Sequence, residues 1–277
     1  MTLITAKTKP SNAHIYERSL RILLEQIGNL PLSALTLEHI DTYITKRAQG
    51  HSPVTVNMEI RALQTAFRLA VKWKLLTENP FAEAEQLEEP DTLPLFMTKD
   101  DLDTYLKAVP YTWFKELVCF AVGTGMRQGE IVNLTWSQID FDRRLIYVES
   151  NEYYRTKTNK KRTVPMSDAV FLLLQGKALR PHQDLVFTQR GRAIVKDYAG
   201  HLFKKCLAKT ALNPKLHFHS LRHTHATLLV QAGVPIYAVS KLLGHSGVRV
   251  TERYYAGLSP DNLHDEVNRA NLSFNLN

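Results

Sequence analysis

The stretch TENPFAEAEQLEEPDTLPLF, residues 77–96, divides this chain. Residues 77–97 hold six Asp and Glu, three prolines and no Lys or Arg. Proline removes a backbone donor and restrains the residue before it, and Asn-Pro initiates turns. Neither a long helix nor an interior strand can run through such a strip, so the chain must fold as two bodies. The charge changes at the same place. Residues 1–76 carry ten Lys and Arg against five Asp and Glu, a balance of +5; residues 98–277 carry twenty-five against sixteen, a balance of +9. The strip between them stands at −6. The 277 residues, 44% hydrophobic, hold material for two modest cores. We expect a helical domain over 1–80, an interdomain linker over 81–97 and a second domain over 98–277. A net charge of +8 serves solubility alone, but two basic blocks also suit a polyanion.

Before the strip, apolar residues recur at helical spacing. Ile15, Leu20, Leu23, Leu24 and Ile27 mark one helix, and Val56, Ile60, Leu63, Phe67, Ala70 and Val71 another. Between them, Thr36 is a candidate N-cap and Gly50 a candidate left-handed cap; Pro53 falls in the first turn of the next helix. After the strip the pattern is mixed. Thr98 would cap TKDDLDTYLKAV, and WFKELVCFAVGTG reads as a buried helix ending in glycines. RRLIYVES, YYRTKT and RTVPMS read as short strands. DAVFLLLQGKAL, IVKDYAGHLFKKCLAKTAL, LRHTHATLLVQAG and PIYAVSKLLGH read as helices. The expected fold class is mainly α with a small β-sheet or hairpin. No apolar run approaches a membrane span, and MTLITAKTKPSNAH lacks the apolar stretch of a signal peptide, so the expected place is the cytoplasm, on the nucleoid. Cys119 and Cys206 fit no metal or redox spacing.

Four stretches hold residues with chemistry. In GTGMRQGEIVNLTW the glycine spacing is wrong for a dinucleotide loop, and a helix precedes it instead of a strand. What remains is Arg127 at the start of a short helix with Glu130 one turn on: a surface ion pair, or a guanidinium aimed into a cleft. RTKTNKKRTVP places Arg155, Lys157, Lys160, Lys161 and Arg162 about a hairpin turn. Most of these cations would face water or contact phosphates, but a lysine held there can give up a proton where arginine cannot. LHFHSLRHTHATLL holds His217, His219, His223 and His225 around Arg222. At ~100° per residue, Arg222 and His223 lie within a quarter-turn of His219, and His225 points away. Zinc would want a third ligand, and a guanidinium on the same face would repel it. A phosphate suits the set better, since arginine donates two parallel bonds and histidine a third or a proton. His217, His223 and His225 also suit plain capping and packing. Last, VPIYAVSKLLGHSGVRVTERYYAG could pass for a helix-turn-helix in its first half, then delivers His245 and, nine residues on, Tyr254.

Taken together, Arg in GTGMRQGEI, Lys in a β-hairpin, H-x-L-R-H in HSLRH, L-G-H in LLGHS and the following tyrosine resemble the tyrosine recombinases of the phage integrase family. The first half, TLEHIDTYITKR through SPVTVNMEIRALQTAFRLAVKWKLLTENP, is similar to the family's helical, SAM-like core-binding domain, so the resemblance spans about residues 11–258. It implies an α+β catalytic domain and six catalytic positions: Arg127, Lys157, His219, Arg222, His245 and Tyr254. The arginines would clamp the scissile phosphate, Tyr254 would attack it to give a 3′-phosphotyrosyl link, and Lys157 would protonate the leaving 5′-oxygen. His219 would serve in acid–base or positioning work, and His245 would hydrogen-bond the phosphate. Gly129 stands where the family often has Ser or Ala, with little effect expected. No metal, ATP or other cofactor is implied. The implied partners are duplex DNA, a homotetramer on two DNA sites formed through a C-terminal tail, and accessory DNA-bending or directionality factors. The short N-terminus implies a two-domain, Xer-like enzyme without an arm-binding domain, serving a mobile element or a chromosome. Two other readings stay open: a non-catalytic DNA-binding regulator with the same fold, and a type IB topoisomerase.

Overall fold

A computed structural model describes residues 10–31, 34–154, 161–178, 184–244, 247 and 249–252. The chain divides into two compact units, Met1–Thr92 and Leu93–Asn277.

The first unit is built from α1 (Pro10–Ile27), α2 (Leu37–Gly50) and α3 (Pro53–Lys72). Their apolar stripes meet in a core of Ile22, Leu23, Ile40, Tyr43, Leu63 and Phe67, completed by Phe81. Thr36 begins α2 as expected, and His39 turns back so that its Nδ1 lies 2.7 Å from the Thr36 hydroxyl. Gly50 does not take a left-handed backbone: it ends α2 as a helical residue, and the chain leaves through an extended His51. Ser52 then caps α3 ahead of Pro53. One buried polar group joins two of the helices. The Glu59 carboxylate on α3 accepts from the Tyr43 hydroxyl at 2.9 Å and from Arg47 Nε and Nη2 at 2.9 and 2.7 Å, both on α2. Burial pushes this carboxyl up, but the bonds from Arg47 and Tyr43 outweigh it and hold the group below the usual carboxylate range.

The acidic strip does not begin as a free tether. Phe81 is fully buried and stacks on Phe67, with ring centroids 5.1 Å apart. The buried Asn57 of α3 binds the strip through both ends of its amide. Oδ1 accepts from Leu87 N at 2.8 Å, and Nδ2 donates to Leu87 O at 2.8 Å and to Glu89 Oε1 at 2.9 Å. Residues 81–89 of the expected linker thus belong to the first unit.

The second unit takes up the far end of the strip. Met97 is fully buried, and its N–H donates to Thr224 Oγ1 at 2.9 Å. Thr98 and Asp101 cap α4 (Lys99–Ala108) reciprocally. Next comes α5 (Thr112–Thr124), apolar on nearly every side and therefore central. It is followed by α6 (Gln128–Val132), a 3-10 turn (Trp136–Gln138), β1 (Ile139–Asp140), β2 (Leu145–Val148), β3 (Arg162–Pro165) and α7 (Asp168–Ala178). A hairpin of β4 (Thr188–Gln189) and β5 (Arg192–Ala193) leads to α8 (Lys196–Leu207), α9 (Ser220–Gln231), α10 (Ile236–Leu243) and α11 (Arg249–Glu252). β1, β2 and β3 form an antiparallel sheet, with Ile146 opposite Val164 and Val148 opposite Arg162. The strand expected in YYRTKT is not formed at Tyr153 and Tyr154, and its remainder lies outside the described residues. α5 packs between α7 and α9. Its contact with α7 is close: a Cβ on Gly123 would stand 2.6 Å from Val170 Cγ2. Among the described residues, no helix is long and apolar enough to cross a membrane.

Candidate active site

The site is assembled where α5, α6, α9 and α10 end or begin. α5 closes at Gly125, whose φ of +60° turns the chain back. A side chain there would also collide with its neighbours, because a Cβ would lie 2.4 Å from His225 Cδ2 and 2.8 Å from Leu243 Cδ2. This glycine lets the 125–127 turn press against both α9 and α10. Arg127 follows as the N-cap residue of α6, and Glu130 sits one turn into that short helix. α9 begins after His219, which brings Arg222 into its first turn.

Three arginines reach three consecutive carbonyls at the C-terminus of α10. Arg162 Nε donates to Leu242 O at 3.2 Å, Arg222 Nη2 donates to Leu243 O, and Arg127 Nη2 lies 3.4 Å from Gly244 O. The last carbonyls of a helix lack partners within it and sit at the negative end of its dipole, so cations are the natural groups to meet them. Arg222 is only 3% exposed, and its Nη1 also donates to Gly125 O at 2.8 Å. The Arg127 side chain is more open, at 27%.

Glu130 is the counter-charge. Its side chain, 2% exposed, accepts from Arg162 Nη1 and Nη2 at 3.0 and 2.6 Å, from Arg127 Nη1 at 3.1 Å and from Arg127 N at 2.8 Å. Burial pushes its carboxyl up, but the Arg162 bonds and charge, then Arg127, outweigh this and hold it below the usual range. Two guanidiniums on the Glu130 carboxylate and a third, Arg222, on the same helix end leave a net positive site with charge-assisted donors, which suits an oxyanion.

His219 presents more than a third of its surface to solvent. Desolvation by the surrounding protein, reinforced by the charges of Arg222, His217 and Arg127, still pulls its pKa down to about 4, with Glu130 opposing. The ring is neutral at pH 7 and can donate from one nitrogen while accepting at the other. The other histidines are held elsewhere. His225 Nδ1 lies 2.7 Å from Val122 O and ties α9 to α5. His217 Nδ1 lies 3.0 Å from Ser220 Oγ at the start of α9. The His223 ring stands perpendicular to that of His219, with centroids 5.0 Å apart. Among the described residues, no three His, Cys, Asp or Glu side chains gather as a metal-binding set.

Of the six candidate positions, the structure brings together Arg127, His219 and Arg222. Lys157, His245 and Tyr254 lie outside the described residues, as does the C-terminal tail. Two participants were read differently from sequence. Glu130, half of a surface ion pair in one reading, is buried. Arg162, grouped with cations facing water or phosphates, turns inward to Glu130, while Lys161 beside it is 82% exposed and meets Glu149 at 2.7 Å. Strand alternation carried the signal, because Arg162 shares a face of β3 with the buried Val164. At Gly129, where the family often has Ser or Ala, a Cβ would lie 2.9 Å from Tyr154 Cε2.

Residues 95–260, more than half of the chain, match the model of the phage integrase family. The chain belongs to that family. Among curated relatives, this phage integrase family member is similar to a XerC-like tyrosine recombinase of Caldanaerobacter subterraneus, with 27% identity over 98% of this chain and 80% of the relative. Its fold is similar to that of the Tn1549 transposon integrase in complex with a circular intermediate DNA. The TM-score is 0.80 at 24% identity, over 95% of each chain. It is also similar to lambda integrase, seen as a tetramer bound to a Holliday junction, with a TM-score of 0.76 at 20% identity over 89% of this chain and 74% of that one. Phage integrase family membership makes the chain a site-specific tyrosine recombinase, an enzyme that cleaves and rejoins DNA strands.

Proposed function

We propose that this recombinase exchanges DNA strands through a covalent 3′-phosphotyrosyl intermediate, with Arg127, Lys157, His219, Arg222, His245 and Tyr254 as its catalytic residues. The reading is carried by one observation: the guanidiniums of Arg127 and Arg222 meet at the carbonyls of Gly244 and Leu243, immediately before His245. Both hold the non-bridging oxygens of the scissile phosphate. The pentavalent transition state carries more negative charge than the diester, so fixed guanidiniums favour it over the ground state. The Tyr254 oxygen bonds to phosphorus as its phenol proton passes to neutral His219, and the 5′-oxygen leaves with a proton from Lys157. Neutral His219 orients or relays a proton, and His245 donates to a phosphate oxygen. A second attack, by a 5′-hydroxyl, breaks the tyrosyl ester and rejoins the strand. One ester replaces another at each step, so bond energy is retained without ATP.

The enzyme works as a homotetramer on two duplex sites, with the C-terminal tail docking onto a neighbouring protomer and the helical N-terminal domain gripping DNA mainly through phosphates. The basic balances on both sides of the acidic strip support this, as does the lambda integrase fold likeness. A nicked duplex taken from the DNA flanking this chain's own gene tests the reading. The wild type forms a detergent-resistant protein–DNA complex and Tyr254→Phe forms none. A complex that persists in Tyr254→Phe removes that residue from its role. Relaxation of supercoils without site preference would point instead to a topoisomerase.

A further inference from the structure

Beyond the arginine cluster, one aromatic side chain fits the site as a key fits a notch. The turn 151–154 leaves β2 and runs beside α6. It is fixed there by Asn151, whose Nδ2 donates to Asn133 O at 2.8 Å and to Gln138 Oε1 at 3.0 Å. The same side chain sets the course of the turn, because its Oδ1 accepts from Tyr153 N at 3.0 Å and Tyr154 N at 2.8 Å. Asn151 N donates to Tyr154 O at 2.9 Å and closes the turn. Tyr154 is therefore held at its backbone, and its half-buried ring lies over Gly129. A Cβ on Gly129 would stand 2.9 Å from Cε2 and 3.3 Å from both Cζ and the hydroxyl oxygen. Burial and the charge of Glu130 push the Tyr154 phenol up, while Arg127 and Arg162 pull it back, so the ring is within electrostatic reach of those three charges.

We propose that Tyr154 is a positioning residue of the recombinase: its ring, seated in the space that Gly129 leaves open, sets the 151–154 turn against the helix that Arg127 caps and that carries Glu130. The inference rests on the recombinase reading and deepens it. Lys157 follows three residues later, within roughly 10 Å of chain from Tyr154. One contact thus sets where the chain leading to Lys157 leaves the arginine cluster. Misplacements on the order of 1 Å cost catalysts about a hundredfold, so a loosened seat is read in rate more than in binding. The hydroxyl has no part in this, and phenylalanine would serve.

Tyr154→Phe, Tyr154→Ala, Gly129→Ala and the double variant Gly129→Ala/Tyr154→Ala are compared with the wild type. The readouts are the single-turnover cleavage rate on saturating nicked duplex, the Kd for that duplex, and urea unfolding without DNA. Tyr154→Phe keeps the wild-type rate. Tyr154→Ala and Gly129→Ala each slow cleavage about tenfold or more with Kd unchanged. The double variant is no slower than Tyr154→Ala, because a methyl on residue 129 has nothing to displace once the ring is gone. The unfolding midpoints show the same non-additivity. A wild-type rate in Tyr154→Ala, or penalties that multiply in the double variant, would overturn the proposal. A loss in Tyr154→Phe as large as in Tyr154→Ala would also overturn it, by giving the work to the hydroxyl. Failure of the wild type to cleave would count against recombination alone, since the unfolding cycle judges the seat without DNA.

Discussion

Arg222 is nearly closed to solvent, and two of its donors go to backbone carbonyls, Gly125 O and Leu243 O. It is a structural pin as well as a cation. Arg222→Lys keeps the charge but offers one ammonium where a planar fork spanned two carbonyls. Glu130 is the reciprocal case, because it pairs with Arg127 and Arg162 at once. Glu130→Gln leaves Arg162 buried without its counter-charge, and we expect a loss of about 3 kcal/mol, read as a lower urea midpoint at unchanged slope. His219 adds a pH dependence. Its folded pKa, about 4, lies below the ordinary imidazole value of 6.5, so the unfolded chain takes up the proton first. Its contribution to stability is present above pH 6.5 and is lost as pH falls towards 4. His219→Gln should flatten the unfolding curve across that window, and a ring titration near 6.5 in the folded protein would contradict the assignment. The sequence pointed to Arg127, His219 and Arg222 by residue type and spacing. It hid the partner of Glu130, because the bond from Arg162 crosses thirty-two residues.

At the scale of elements, helix starts were legible and some helix ends were not. Thr36, Ser52 and Thr98 stand at N-caps, where a short polar side chain is a local signal. Gly50 and Gly125 both close amphipathic or apolar runs, and they read alike. Only Gly125 turns left-handed, and the reason is distant in sequence: His225 and Leu243 crowd the place of its missing side chain. At Gly50 the following Ser52-Pro53 cap draws His51 into an extended backbone, and no left-handed residue is needed. Gly125→Ala should cost about 2 kcal/mol or more, from strained backbone plus overlap with an imidazole. Gly50→Ala should be neutral or stabilising, and both are read from urea midpoints. The β4–β5 hairpin went unseen because its two-residue turn is Arg190-Gly191. Both residues have positive φ, at a site where Asn-Gly or Asp-Gly would have announced the turn. β1 is two residues long, too short for alternation to show.

For the whole molecule, the division into two compact units falls within the proline-bearing acidic strip, at Thr92 and Leu93. Its attachment was not legible. An acidic, proline-spaced run reads as a tether. Asn57, in the middle of an amphipathic helix, gives no sign that both ends of its amide will grip Leu87. The family match begins at residue 95, where the second unit starts to build its core with Leu95 and Met97. The proposed strand exchange depends on a covalent bond between one phenol and one DNA phosphorus. Its most direct test is to trap the wild-type protein on the nicked duplex, digest the complex and identify the adducted peptide and the DNA end by mass spectrometry. We expect the 3′-phosphate of the cut strand to be joined to Tyr254, with a free 5′-hydroxyl opposite. A 5′-linked adduct, an adduct on another residue, or a cut strand carrying no peptide would contradict the account.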